Sequence, residues 1–254
     1  QWENFANYTK SFGQHTVTGM VGMSYQESTN DNVYGSLSAN SEDAIKKNDP
    51  LFYYLNYGSA SATKGVAGEK IRSAKLSYFG RVGYEFAGRY LLQGSLRADA
   101  ADLSLLPSTN RWGYFPAVSA GWTLSEEEFF APLKHQVSSL KLRASWGQNG
   151  SLAALSNYPY STDMALKGLY PFGTGNYYIN AVAPSSMGND KLKWETSEQI
   201  NIGLDARFLK DRLTVGMDYF NKKTKDLLVN GTTPSLIVGG TTSPMNAGNV
   251  SNKG

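Results

Sequence analysis

Few side chains in this 254-residue chain have the types and spacing that enzyme or metal chemistry needs. The two histidines, His15 and His135, are 120 positions apart, which is not the spacing of a metal-binding motif. Cysteine is absent, so thiolate metal sites, cysteine nucleophiles and a disulfide scaffold are excluded. No grouping of serine, histidine and aspartate suggests a nucleophilic triad. We therefore expect no catalytic residues and no enzymatic activity.

Two acidic stretches have simpler interpretations than catalysis. Ser125 followed by Glu128 has the pattern of a capping box, which predicts a single helical turn. Asn30–Asn32 and the pair Glu42 and Asp43 offer oxygen ligands of the kind Ca²⁺ prefers. Asn and Asp are also frequent in loops because they favour turns. We expect no metal and no cofactor, and Ca²⁺ in the full complex is the single candidate.

Aromatic side chains are concentrated between 149 and 192, where prolines stiffen the chain. Tyrosine offers a flat apolar ring with a polar tip, so this segment suits stacking on sugars or gripping a peptide. The alternative, which we favour, is that the rings pack the loop or contact a partner protein, because an ordered long loop must bury something. The candidate ligand or partner contacts are Tyr158, Tyr160, Tyr170, Phe172, Tyr177 and Tyr178.

Alternation of apolar and polar residues is the dominant pattern of the chain. In its clearest segment Tyr90, Leu92, Gly94, Leu96 and Ala98 are opposed to Arg89, Gln93, Ser95, Arg97 and Asp99. A period of two predicts strands with two different faces. Similar segments lie at about 2–9, 16–25, 72–84, 112–124, 140–146, 194–208 and 213–219. The sequence therefore predicts an all-β fold with about eight strands.

The links between these strands fall into two alternating classes. Short links at about 10–13, 85–88, 125–138 and 210–211 alternate with long ones at about 27–69, 100–110, 149–192 and from 226 onward. Outer-membrane β-barrels have brief periplasmic turns and extended extracellular loops. No run of about 18 apolar residues exists, which excludes a transmembrane helix. A transmembrane antiparallel β-barrel fits this pattern.

Charged residues are placed at the centres of the predicted strands, on their polar faces. The net charge of +3 is dispersed over the chain, so we expect no nucleic-acid partner. In a barrel these side chains would line the lumen or form salt bridges to a plug domain. The candidates are Arg72, Lys75, Arg81, Arg97, Asp99, Arg143, Asp205 and Arg207.

Two other architectures share parts of this pattern. A soluble extracellular β-sandwich that binds glycans also alternates apolar and polar residues, but the charged strand centres and the Trp and Tyr near strand ends favour the barrel. Eight strands also suffice for a small closed outer-membrane barrel. A barrel-embedded enzyme is disfavoured by the lack of a catalytic grouping.

Several segments carry a family resemblance. They are 111–127 (RWGYFPAVSAGWTLSEE), 140–150 (LKLRASWGQNG), 194–196 with 201–205 (WET and NIGLD), 219–228 (YFNKKTKDLL) and 246–254 (NAGNVSNKG). In order and spacing they resemble the SusC/RagA-like TonB-dependent outer-membrane transporters of Bacteroidota. The likeness covers about 70–254 and is looser before that. Arg97–Asp102 departs from the family pattern, which leaves the conformation of the following loop open.

The resemblance implies a multi-pass outer-membrane location and TonB-coupled import of oligosaccharides or peptides. It implies a SusD-like surface lipoprotein as partner, TonB-ExbB-ExbD acting through a plug and TonB box, contact with membrane lipid and lipopolysaccharide, and paired transporter–lipoprotein units. The whole of 1–254 is then expected to be an internal arc of a 22-stranded barrel domain, with the plug and the other strands outside it.

Overall fold

A nine-stranded antiparallel sheet dominates the computed structural model, which describes residues 1–38, 63–173, 177–231 and 241–254. The strands of the chain are β1 (Trp2–Phe12), β2 (His15–Ser38), β3 (Thr63–Phe86), β4 (Tyr90–Ala100), β5 (Trp112–Thr123), β6 (Val137–Ser151), β7 (Asp163–Phe172), β8 (Tyr177–Met187), β9 (Glu195–Phe208), β10 (Leu213–Lys225), β11 (Leu228–Val229), β12 (Thr241–Thr242), β13 (Met245–Asn246) and β14 (Val250–Lys253). The sheet runs in the order β1-β2-β3-β4-β5-β6-β9-β10-β14.

The eight predicted strands are the first eight strands of this sheet, and β14 is a ninth. The four short links are confirmed at the chain turns between β1 and β2, β3 and β4, β5 and β6, and β9 and β10. The predicted loop 27–69 is partly wrong, because β2 continues to Ser38 and β3 already begins at Thr63. The predicted loop 149–192 contains the hairpin β7–β8, which forms a small separate sheet with β12.

Two compact units divide the chain, one formed by 1–26 with 75–254 and the other by 27–74. In the second unit the described residues are the far ends of β2 and β3. They are joined by ion pairs from Arg72 to Glu27 (2.6 Å) and from Lys70 to Asp31 (3.6 Å). Asn32 and Tyr34 both donate hydrogen bonds to Glu69. Charged cross-strand pairs therefore hold this unit together in its described part.

The register assigns each strand one apolar and one polar side. Leu92, Ala120, Ala144, Ile202 and Tyr219 form a single row across five neighbouring strands. The next row on the opposite side contains Gln93, Ser119, Ser145 and Asn201. We call these two sides the apolar face and the polar face.

Large side chains on the apolar face remain about half exposed, for example Leu92 (58%), Ile202 (54%) and Met217 (58%). A β-sandwich would bury this face against a second sheet in a dry core. Buried apolar residues of the described chain are instead few, and they are concentrated near the long links. The apolar face is therefore uncovered by the rest of the described chain.

Aromatic rings border the apolar face at both ends. Next to the short turns, Phe12, His15, Phe86, Tyr90 and Trp122 follow one another with ring centroids 4.8–6.2 Å apart. We call this row the turn-end belt. His15, which had no role in the sequence analysis, is part of it, and its Nδ1 lies 2.7 Å from the Tyr84 hydroxyl. The loop-end belt consists of Trp2, Tyr25, Tyr78, Trp112, Tyr114 and Trp146.

The distance between the belts matches a bilayer. Trp112 and Trp122 lie on the same face of β5, about ten residues apart. At about 3.4 Å per residue and a strand tilt of about 40°, their levels are about 25 Å apart. Outer-membrane barrels have an apolar band of about this height between two aromatic girdles. Among the described residues, no helix is long and apolar enough to cross a membrane.

The link between β5 and β6 forms two short 3₁₀ helices, Leu124–Glu126 and Glu128–Leu133. The predicted capping box is wrong, because neither helix has a side-chain cap. Glu127 is the central carboxylate instead. Its Oε1 accepts a hydrogen bond from the Trp122 indole (3.0 Å), and its Oε2 accepts one from Arg89 (3.1 Å). Hydrogen bonds from Tyr90, Trp122 and Arg89 lower the pKa of Glu127 below its ordinary value.

This anchor predicts a pH-dependent contribution to stability. Because the folded-state pKa is lowered, Glu127 stabilises the fold above its unfolded pKa of about 4.3, and this contribution is lost as the pH falls through the lowered value. Glu127→Gln in the complete protein should therefore lower the midpoint of the heat-induced gel shift at pH 7. The difference from the unsubstituted protein should shrink towards pH 3.

Glu126→Gln is the matched control for this prediction. Glu126 is about half exposed and pairs only with Lys134 (3.4 Å) among the described residues, so its loss should change the midpoint little. Equal effects of the two substitutions at pH 7 would contradict the assigned role of Glu127.

Candidate functional site

The polar face carries a three-strand ion-pair network at its centre. Arg143 of β6 donates two hydrogen bonds to Asp205 of β9, at 2.6 and 3.0 Å. The same guanidinium reaches Asp218 of β10, with Nη2 3.1 Å from Oδ1. A planar guanidinium suits such a bidentate contact. The network joins β6, β9 and β10 by side chains in addition to their backbone ladder.

Gly203 makes this network geometrically feasible. It lies in the same row as Arg143 and Asp218 and stands between them. A Cβ atom at this position would lie 2.6 Å from Asp218 Oδ1 and 2.8 Å from Arg143 Cζ. A glycine here leaves the space through which the Arg143 side chain crosses β9.

A second network lies on the polar face of β3 and β4. Arg97 donates to both carboxylate oxygens of Asp99, at 2.8 and 3.1 Å, and to Ser77 Oγ at 2.9 Å. Its guanidinium also lies 5.6 Å from the centroid of the Phe79 ring. Lys75 approaches Asp99 at 3.7 Å. Asp99 and Ser77 are buried, so this carboxylate is desolvated and its two cationic neighbours are needed.

Between the two networks, the polar face is lined by small and uncharged side chains. Gln199 donates to Asn201 (2.7 Å), which donates to Ser145 (3.3 Å). Thr16, Thr18, Gln93, Ser119 and Gly121 line a concavity of about 450 Å³ together with Lys141 and Arg143. Such a surface can form hydrogen bonds with a polar protein surface or solute.

The structure brings together five of the eight charged residues predicted to line a lumen. Lys75, Arg97 and Asp99 form one network, and Arg143 and Asp205 belong to the other. Arg81 lies on the polar face with its Nη2 3.8 Å from the sulfur of Met20. Arg207 lies on the same face opposite Thr214 and is exposed. Arg72 pairs with Glu27 in the unit 27–74. Whether these side chains face a lumen or a plug stays a prediction.

A packed aromatic pair closes the loop end of the polar face. Phe115 of β5 meets Trp194 edge to face, with centroids 5.4 Å apart. Both rings lie over Gly113 and Gly150. A Cβ at Gly113 would lie 2.5 Å from Phe115, while one at Gly150 would overlap the Phe115 ring and lie 2.8 Å from Trp194. All three segments carry the family resemblance, but the sequence alone predicts no role for these residues. Two glycines close in sequence to large aromatic residues, Gly113 beside Phe115 and Gly150 after Trp146, were the available signal.

The long links are joined to one another next to this pair. Leu106 and Leu192 are fully buried and form a small core with Ala101 and Leu228. The Asn246 side chain donates to the carbonyls of Lys193 and Asp226, both at 2.9 Å. The loop at 101–111, whose conformation the sequence left open, is thereby fixed. The links at 100–110, 149–192 and from 226 onward thus form one hydrogen-bonded platform in their described parts.

The candidate tyrosines divide between two environments. Tyr160 donates a hydrogen bond from its hydroxyl to the carbonyl of Leu103, a contact between two long links. The rings of Tyr158 and Tyr170 are more than half exposed. The side chains of Phe172, Tyr177 and Tyr178 lie outside the described part of the chain. Contact with a ligand or partner stays a prediction for this set.

The proposed calcium ligands are only partly described. Asn32 donates to Glu69 and Asp31 pairs with Lys70, while Glu42 and Asp43 lie outside the described residues. The part of the chain that the structure describes contains no cluster of histidine and acidic residues able to hold a metal ion.

An open sheet with a bare apolar face, aromatic belts at both ends and ion pairs on its other face is the wall of a transmembrane β-barrel. The family described as "TonB dependent receptor-like, beta-barrel" matches residues 1–254, and the chain belongs to it. The β-sandwich is therefore wrong. The small closed barrel is not formed either, because β1 and β14 are the two edges of the described sheet.

Curated relatives cover most or all of the chain. TonB-dependent receptor P39 of Formosa agariphila is 35% identical over 258 residues, covering 100% of this chain and 23% of the relative. TonB-dependent receptor SusC of Bacteroides thetaiotaomicron is 35% identical over 189 residues, covering 72% of this chain and 18% of the relative. The chain thus spans about a quarter or less of the length of these relatives. The relatives are named as receptors, not as enzymes.

Solved structures agree on the fold. The RagAB peptide importer in its "open-open" state matches with a TM-score of 0.77 and 24% identity, covering 99% of this chain and 26% of that chain. The ferric enterobactin receptor PfeA of Pseudomonas aeruginosa matches with a TM-score of 0.53 and 17% identity, covering 99% of this chain and 31% of that chain. At these identities the likeness concerns the fold alone.

The space above Gly203 yields a first prediction for this site. Gly203→Ala should push the Arg143 and Asp218 side chains apart and destabilise the fold modestly, because both side chains are partly exposed. The gel-shift midpoint of the complete protein should fall accordingly. Gly216→Ala is the matched control, since its Cβ would approach Asp205 only to 3.7 Å.

A double-substitution cycle identifies the cause of this effect. In the presence of Asp218→Asn the cost of Gly203→Ala should nearly disappear, because the interaction it disturbs is already weakened. An undiminished cost would mean that Gly203 acts through the backbone alone.

The Phe115–Trp194 pair yields a second prediction. Gly150→Ala should force both rings out of place and cost about 1–3 kcal/mol, as overpacking does elsewhere. The fluorescence emission maximum of Trp194 should shift to longer wavelength, because the displaced ring becomes more exposed to water. The measurement uses the folded protein with its other tryptophans substituted by Phe. Gly94→Ala is the control, because no atom lies within 4 Å of the Cβ it would add. Unchanged emission in Gly150→Ala would contradict the packing described.

Proposed function

We infer that the chain is part of the barrel wall of a SusC/RagA-type transporter, which imports nutrients across the bacterial outer membrane by TonB coupling. The observation that carries this proposal is the two-sided sheet: a bare apolar face about 25 Å high between aromatic belts and an ion-paired polar face behind it. The family membership and the likeness to SusC support the class of transporter. The wall itself performs no chemistry.

The domain organisation follows from the same reasoning. The sheet has two edge strands in its described part, and an unpaired strand edge is unfavourable in hydrocarbon. Further strands of the same barrel would pair with β1 and β14. We propose a complete barrel of 22 strands whose polar face surrounds a plug domain, with 1–254 as one arc of its wall.

The polar face suits a displaceable plug. Asp99, Asp205 and Arg143 are paired within the wall, so the plug need not supply partners for them. Ser145, Asn201 and Gln93 offer exchangeable hydrogen bonds beside the 450 Å³ concavity. A TonB-linked motor that pulls on the plug would then break hydrogen bonds, which water replaces, without leaving buried charges unpaired.

The platform of long links supports a cargo-capturing partner at the outer surface. Its fixed core and the exposed rings of Tyr158 and Tyr170 form a preorganised surface. A SusD-like lipoprotein would bind there and deliver an oligosaccharide or a peptide. The solved RagAB neighbour is a peptide importer, and the family resemblance of the sequence makes an oligosaccharide the other candidate class.

Fractionation of cells tests the proposed location. The complete protein should be recovered in the outer-membrane fraction and should run faster on a gel without boiling than after boiling, because a folded barrel resists detergent. A soluble protein with one mobility would overturn the proposal.

Growth tests the proposed transport. A deletion strain should lose growth on one class of oligomer, either oligosaccharides or peptides, and should still grow on the corresponding monomers. The intact gene should restore growth, but not in a strain without TonB. Unimpaired growth of the deletion strain on every oligomer tested would contradict the import function.

A further inference from the structure

The apolar face changes character abruptly just above Trp146. One row across β6, β9, β10 and β14 contains Trp146, Ile200, Asn221 and Lys253. The next row towards the long links contains Gln148, Glu198, Lys223 and Ser251, and the one beyond contains Thr196 and Lys225. Below this border the same face carries Ile202, Tyr219, Leu204 and Met217. The apolar face therefore becomes charged from one row to the next, a distance of two residues along each strand.

Positive charge exceeds negative charge in this border. Glu198 is fully engaged, since its Oε1 accepts from the Trp146 indole and its Oε2 pairs with Lys225, both at 2.9 Å. Lys223 and Lys253 have no carboxylate within ion-pair distance among the described residues, and both are exposed. We call Lys223, Lys225 and Lys253 the lysine border.

The three lysines are close enough to act on one group. Lys223 and Lys225 project from the same face of β10 two residues apart, which is about 7 Å. Lys253 is the diagonal neighbour of Lys223 across β10 and β14, at a typical distance of about 7–8 Å. Their flexible stems can cover apolar surface while the ammonium groups converge. Like charges held this close are unfavourable unless an anion lies between them.

We propose that the lysine border binds the phosphate of a lipid headgroup in the outer leaflet, and this rests on the proposed outer-membrane location. The border lies directly above the loop-end belt, at the level where headgroups begin. Lysines near an anionic membrane surface each strengthen binding by about fivefold. Glu198 is held by the Trp146 indole and by Lys225, so among the described residues a single carboxylate faces the three lysines. A phosphorylated lipid would fill the remaining positive site.

The test uses the complete protein, purified in uncharged detergent, with the midpoint of the heat-induced gel shift as readout. Lipid A carrying both phosphates should raise the midpoint, and the same lipid A after phosphatase treatment should not. Lys223→Gln with Lys253→Gln should weaken the apparent affinity by about 25-fold, from fivefold per lysine. Lys222→Gln is the matched control, because Lys222 is the neighbour of Lys223 on the opposite face of β10.

The outcomes separate the proposal from its alternatives. An equal rise with dephosphorylated lipid, with inorganic phosphate alone, or in the double variant would overturn it. An equal loss of affinity in Lys222→Gln would overturn it as well. A heat-modifiable outer-membrane protein without a lipid response would disprove the lysine border alone. A protein recovered in the soluble fraction would disprove both this site and the proposed function.

Discussion

Backbone hydrogen bonding in hydrocarbon is the constraint on which the structure depends. A sheet in lipid must pair its N–H and C=O groups with neighbouring strands, and nine strands pair in this way across the described wall, with β1 and β14 as its two edges. Because side chains alternate with a period of two, the register also assigns every residue to one side. A slip of one residue would place Arg143 and Asp205 in lipid and Ile202 in the polar interior. The alternation in the sequence therefore specifies register as well as strand type.

The glycines of this wall are as important as its large side chains, because they leave space for their neighbours. Gly203 lets Arg143 reach across a whole strand to Asp218, and Gly150 leaves room for the edge-to-face pair of Phe115 and Trp194. A single-layered wall has almost no interior in which to bury side chains. It gains its side-chain contacts by laying long side chains over the backbone of a neighbouring strand. Glycine is the residue that permits this close approach.

The strands and short turns were predictable from the sequence because alternation and link length are local signals. The ends of β2 and β3 were not, since Asn30–Asn32 breaks the apolar pattern and only pairing with the partner strand keeps this stretch extended. The roles of Glu127, His15 and Trp194 were also not predictable. Each depends on partners that lie on another strand or link, such as Arg89 for Glu127 and Tyr84 for His15. The family resemblance located the segment of Trp194 but did not state what it contacts.

The spacing of the two aromatic belts also determines the bilayer thickness that this wall fits. Tyrosine and tryptophan prefer the interface, so belts about 25 Å apart define the bilayer in which this wall lies without distortion. A thicker bilayer would have to thin around it or tilt the strands, at a cost of fractions of a kcal/mol for each ångström of mismatch. The bacterial outer membrane is thinner than average. The length of β5 between Trp112 and Trp122 thus helps to sort the protein among the membranes of the cell, because a thicker membrane would fit this wall less well.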